Sequence, residues 1–107
     1  MTPVWLCPLR AQKDWPLYPL HPGATYVNVG FWGTVPIVDD ARDGDVNRAI
    51  EEKLAELDGH KSLYSDVYYD RDTFHELYGG ATYESVKRRY DPGDRLTGMY
   101  EKVVGRR

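Results

Sequence analysis

Ala24-Thr25-Tyr26-Val27-Asn28-Val29-Gly30-Phe31-Trp32-Gly33 alternates two kinds of side chain. Successive residues of a strand point to opposite faces, so Val27, Val29 and Phe31 share one side and Tyr26, Asn28 and Trp32 the other. The first set is ordinary core. The second is aromatic and polar at once, the composition of a sheet face that roofs a ligand. The rest of the chain decides what pairs with this strand and what else shares its second face.

Val4 to Cys7 reads as a short strand closed off by Pro8, and Lys61 to Tyr69 as a third strand with Leu63 and Val67 on one face and Tyr64, Asp66 and Tyr68 on the other. Leu9 to Gly23, with Pro16, Pro19 and Pro22, is a long packed loop, and Gly33 to Gly44 a second loop carrying Asp39, Asp40 and Asp43. In Val46 to Leu57 the residues Val46, Ala49, Ile50, Leu54 and Leu57 fall on one helical stripe, with Asp45 placed as N-cap, Glu51 outside the stripe and Gly59 ending the helix. A short helix capped by Asp70 or Asp72 carries Phe74, Leu77 and Tyr78. Another runs from about Thr82 to Tyr90, Asp91-Pro92-Gly93-Asp94 forms a turn, and Leu96 to Val104 holds a last short helix.

Strands followed by helices predict an α+β fold: a small antiparallel sheet of about three strands with helices on one face. Val4, Leu6, Val27, Val29, Phe31, Leu63 and Val67 would then meet the stripe Val46-Ile50-Leu54-Leu57. The opposite face would carry Trp5, Cys7, Tyr26, Asn28, Trp32, Tyr64, Asp66 and Tyr68, a patch too aromatic to leave open on a monomer. Asp66, a carboxylate between Tyr64 and Tyr68, is costly there unless it is functional, on an edge or bonded to a neighbouring loop.

With 107 residues the chain has room for one modest core, and a net charge of −3 argues against nucleic-acid binding. A single cysteine, Cys7, forbids an internal disulfide and points to a reducing compartment, and the start lacks a signal-peptide pattern. A soluble, cytoplasmic protein is expected. His21, His60 and His75 lie too far apart for a local metal-ligand motif, and no nucleophilic triad, phosphate loop or dinucleotide fingerprint is present. Lys87-Arg88-Arg89 reads as a solvated helix end favoured by the helix dipole.

Trp5-Leu6-Cys7-Pro8, Tyr26-Val27-Asn28-Val29-Gly30-Phe31-Trp32-Gly33 and Leu63-Tyr64-Ser65-Asp66 together resemble the C-terminal part of the Δ24-sterol reductase group of FAD-dependent oxidoreductases. Arg71 to Tyr78, Tyr83 to Tyr90 and Tyr100-Glu101-Lys102 continue the likeness in order, while the Phe74 region and Tyr90-Asp91-Pro92 are more distantly similar to decaprenylphosphoryl-ribose oxidases and other vanillyl-alcohol-oxidase-type flavoenzymes. The resemblance implies a C-terminal cap lying over FAD, which is bound mainly by the other half of the same enzyme, and a pocket for hydride transfer to or from a small-molecule substrate. It places Tyr26, Asn28, Trp32, Tyr64, Asp66 and Tyr68 on the flavin and substrate side, with Tyr64 or Asp66 as first polar contact. Ser65 stands where some relatives carry lysine. The resemblance also implies that this polypeptide alone turns over no substrate, and it assigns no catalytic residue. The competing expectation is a stand-alone α+β module that binds a small apolar ligand, or dimerises through the aromatic face, without redox activity.

Overall fold

The computed structural model describes residues 3–104, an α+β arrangement in which two strands precede four helices. The chain divides into two compact units: one formed by the residues up to Trp15 with Leu20–Ala41, the other by Pro16–Pro19 and the chain from Arg42 onward.

The first unit is a two-stranded antiparallel sheet, β1 (Val4–Arg10) and β2 (Thr25–Phe31). Trp5 lies opposite Gly30, Cys7 opposite Asn28 and Leu9 opposite Tyr26. Directly opposed residues share a face. The register therefore puts Val4, Leu6, Val27, Val29 and Phe31 together on one side and Trp5, Cys7, Tyr26 and Asn28 on the other, as the alternation requires. β1 does not stop at Pro8 but continues to Arg10, because proline is tolerated on an edge strand where the missing N–H faces away from the ladder. Residues 11–24 connect the strands. The feet of that loop are joined by the Gly23 N–H donating to the Ala11 carbonyl (2.9 Å) and the Arg10 guanidinium to the Gly23 carbonyl (3.0 Å). Gly23, at φ 81°, supplies the left-handed turn.

A third strand is not formed. Residues 61–70 contain no regular structure. Leu63 and Val67 are four residues apart with Ser65 between them, so the apolar positions do not repeat every second residue. The backbone of the segment is held by side chains instead of a ladder, as described below.

In the second unit, α1 (Asp45–Glu56) begins after Gly44, whose left-handed backbone (φ 79°) forms the N-cap. Asp45 is the first helical residue, not the cap, and its carboxylate accepts from the Arg42 N–H at 2.8 Å. α2 (Arg71–Leu77) is capped by Asp70, which accepts from the Thr73 N–H (2.9 Å) and hydroxyl (3.0 Å). Gly79 then turns left-handed, and α3 (Gly80–Tyr90) starts earlier than the expected Thr82. A Cβ on Gly79 would fall 2.1 Å from the Pro16 carbonyl oxygen, so this close approach requires glycine. α4 (Met99–Val103) closes the chain's described part.

The core sits here, not on the sheet. Val67, Phe74 and Tyr78 are buried, ringed by half-buried Tyr18, Leu63, Tyr69, Leu77, Met99, Tyr100, Val103 and Val104. Phe74 packs 4.9 Å from Tyr78 and edge-on to Tyr100 at 5.4 Å, geometries that add to area burial.

Candidate functional site

Of the six residues expected to face flavin or substrate, Tyr26, Asn28 and Trp32 belong to the first unit and Tyr64, Asp66 and Tyr68 to the second. The first three sit with Trp5 and Cys7 on one hairpin face or directly beyond its end. Trp5 and Trp32 are in contact, with ring centroids 4.3 Å apart and planes 59° apart. Trp5 also lies across Gly30, where a Cβ would come within 2.0 Å of its Cε2 atom. The glycine makes room for the indole, and the indole covers the backbone that glycine leaves bare. The Tyr26 hydroxyl accepts from the His21 N–H at 2.9 Å. Asn28 and Trp32 are exposed. The face thus presents indole surface beside an amide and a phenol.

Tyr64, Ser65 and Asp66 form the exposed tip of a loop whose feet are tightly held, and Tyr64 is 86% exposed. The anchor is Glu51. Its buried carboxylate accepts from Lys61 Nζ at 2.9 Å and from the Tyr68 N–H at 3.1 Å. The same ammonium donates to the Asp66 carbonyl, the buried Tyr78 hydroxyl donates to the Lys61 carbonyl, and the Val67 N–H reaches the Val103 carbonyl at 3.4 Å. Tyr68 packs inward: its ring fills the space over Gly44, its carbonyl accepts from Arg48 at 3.2 Å, and the Arg48 guanidinium lies 4.8 Å from the ring centroid. Sequence reasoning put Glu51 on the solvent side of α1, and no local pattern links it to Lys61, ten residues away.

Burial pushes the Tyr69 phenol up to about 12, with the nearby Glu51 charge adding to the effect. Burial likewise raises Tyr78, so both rings stay neutral and the Tyr78 proton remains available to Lys61.

Lys87, expected as part of a solvated helix end, is instead a clamp. It pairs with Asp91, with Asp94 at 2.7 Å and with the Leu96 carbonyl at 2.6 Å. The bond from Lys87, joined by the Leu96 and Arg95 N–H groups, lowers the Asp91 carboxyl to about 2. A cleft of about 490 Å³ lies beside this clamp, with Arg71, His75, Tyr83 and Tyr100 among its lining residues. Its charges are largely matched within the fold, Arg71 by Glu101 at 2.6 Å and His75 by Glu84 at 3.6 Å.

The chain is thus of the α+β class, with a hairpin face that combines aromatic and polar side chains. Comparison with curated proteins relates it to a reductase. The chain is homologous to Delta(24)-sterol reductases: it is 28% identical over 105 residues to the Rattus norvegicus protein and 27% to the Homo sapiens one, each match covering 94% of this chain and 20% of the relative. The Caenorhabditis elegans Delta(24)-sterol reductase homolog dhcr-24 is 28% identical over 110 residues, or 98% of this chain and 21% of the relative. The chain therefore spans about a fifth of the length of the curated relatives it matches. No family model matches it, and no solved structure matches it significantly. Among the described residues no helix is long and apolar enough to cross a membrane.

Proposed function

We propose that this chain is the C-terminal, substrate-side cap of an FAD-linked oxidoreductase. In this reading it covers the flavin and shapes the pocket in which hydride passes between a small-molecule substrate and the cofactor, while the FAD-binding half of the same enzyme holds most of the FAD. Homology to sterol reductases along nearly the whole chain carries the reading, and the open aromatic-polar face of the hairpin supports it.

The residues of that face fit a planar, conjugated ring with polar edges. Trp5 and Trp32 supply apolar contact area, Asn28 supplies an amide donor and acceptor, and Tyr26 adds a phenol ring. FAD, when bound, supplies the two-electron chemistry; the protein contributes position, exclusion of water and electrostatics. Tyr64 and Asp66, on the anchored tip of the second unit, are assigned polar contact with substrate. Their loop is well suited to that task, because Glu51 and Lys61 fix both of its feet and a precise contact requires a rigid support.

The test is to express the complete reading frame that contains this chain and examine the purified protein for bound flavin, for bleaching of that flavin by dithionite, and for its reoxidation by an unsaturated sterol. Flavin that is bound by the parent and perturbed spectrally by Trp32→Ala or Asn28→Ala supports the assignment. A parent protein with neither flavin nor flavin-dependent redox activity overturns it.

A further inference from the structure

Residues 61–70 form no regular structure, so the tip that carries Tyr64 and Asp66 takes its position from whatever holds the backbone beside it. Lys61 holds the Asp66 carbonyl and Glu51 the Tyr68 N–H. Between them, the fully buried Val67 gives its N–H to the Val103 carbonyl of α4. That bond is 3.4 Å long, at the limit of the normal range, so a slight shift of α4 breaks it. α4 cannot seat itself. It has five residues and no side-chain cap, far short of the roughly 12 at which an isolated helix is even marginal in water. Its neighbours dock it. The Tyr83 hydroxyl accepts from the Met99 N–H at 2.8 Å, and Met99, Tyr100, Val103 and Val104 pack on the buried core. Arg71, the first residue of α2, clips the outside. Its guanidinium donates to Glu101 at 2.6 Å and lies 4.4 Å from the centroid of the Tyr100 ring, which makes a T-shaped contact with Phe74 at 5.4 Å. The other Glu101 oxygen lies against Gly98, where a Cβ would fall 2.1 Å from it, so glycine lets the clip close.

We infer that Arg71 is a positioning residue for substrate: by clipping Tyr100 and Glu101 it seats α4, α4 holds Val67, and Val67 steadies the tip from which Asp66 and Tyr64 meet the substrate. This role rests on the flavin-cap reading. A planar guanidinium suits the task, because one group stacks on a ring and reaches a carboxylate at once, which a lysine ammonium does less well. The pair is about half exposed, with 54% of the Arg71 side chain and 47% of that of Glu101 accessible, so its effect on overall stability is small. A small effect on stability beside a larger one on substrate binding separates positioning from packing.

The purified product of the complete reading frame tests it, as wild type, Arg71→Met, Arg71→Lys and Arg88→Met. Arg88→Met is the control, since it breaks another exposed pair, with Glu84 at 3.6 Å, that lies within α3. The flavin is reduced with dithionite, and its reoxidation is followed against the concentration of an unsaturated sterol. Amide exchange at Val67 is read on the same samples. Arg71→Met is expected to raise the half-saturating sterol concentration about threefold or more with the limiting rate unchanged, and to speed exchange at Val67 by a similar factor. Arg71→Lys recovers part of both losses, and Arg88→Met matches wild type in both. Unchanged exchange at Val67 in Arg71→Met overturns the inference whether or not flavin is bound. So does faster exchange with unchanged sterol saturation, or an equal shift from Arg88→Met. A protein without flavin overturns the functional reading and the substrate role with it, while Val67 exchange still decides whether Arg71 seats α4.

Discussion

The two units use apolar residues in opposite ways. In the second, Val67, Phe74 and Tyr78 are essentially inaccessible, and aromatic rings, a buried ion pair and a helix cap all converge on them. In the first, Ala11 alone among the described residues is buried, while Leu6, Val27 and Val29 are each more than half exposed. Buried hydrophobic residues stabilise the second unit, although Leu57, Tyr64, Tyr90 and Leu96 there are also exposed. The hydrophobic residues of the first lie largely at the surface. The comparison teaches that the hairpin is held mainly by its backbone ladder and the second unit by packed side chains.

The largest expected effect comes from the core of the second unit. Phe74→Ala removes a ring packed against Tyr78 and Tyr100 and is expected to cost about 3–5 kcal/mol, measured by urea unfolding followed by circular dichroism. Val29→Ala, at a position 53% exposed, should change that unfolding by less than about 1 kcal/mol. Equal costs would erase the contrast between the units.

Glu51→Ala is expected to come next, at about 3 kcal/mol, because it strands the Lys61 ammonium in a buried position and frees the Tyr68 N–H. Glu51→Gln, which still accepts one bond, should lose less. Thermal melts of the two variants rank them, and a Glu51→Ala melt equal to wild type would remove the anchor from the account. Gly44→Ala should cost about 1–3 kcal/mol, since it forces a side chain onto φ 79° and into the Tyr68 ring.

Two pH effects follow from the second unit. Asp91 is lowered from 3.8 to about 2, so its bond with Lys87 adds stability above the ordinary carboxyl value and loses it as pH falls through about 4 to 2. Lys87→Met should flatten that acid limb of a stability-against-pH curve. Tyr69 is raised from 10.0 to about 12. Its neutral form therefore contributes fully below pH 10, and the contribution fades as pH rises toward 12. The smallest effect belongs to the hairpin: Gly30→Ala should displace Trp5 and shift indole emission while leaving the unfolding of the second unit unchanged.

Strict alternation made β2 and its two faces legible, and the observed register confirms which residues share them. The same alternation failed at 61–69, where two apolar residues four positions apart cannot define a strand face. The groups that hold that segment, the Glu51 carboxylate and the Tyr78 hydroxyl, come from distant parts of the chain, and local periodicity carries no trace of them. Tyr26, Asn28 and Trp32 could be read as one surface because a single strand presents them. Tyr64, Asp66 and Tyr68 could not, because their placement is set by the loop: Tyr64 stands in solvent while Tyr68 turns in over Gly44. Lys87 was misread for a similar reason, its partners Asp91 and Asp94 lying past the helix end in a turn that folds back on it.

Amide hydrogen exchange tests the division between the units most directly. The account predicts that the amides of Tyr68 and Tyr78 exchange only with global unfolding. The hairpin amides should exchange faster, through local opening of the two-stranded ladder. Hairpin amides as protected as those of the second unit would show that the first unit is equally stable and would contradict the account.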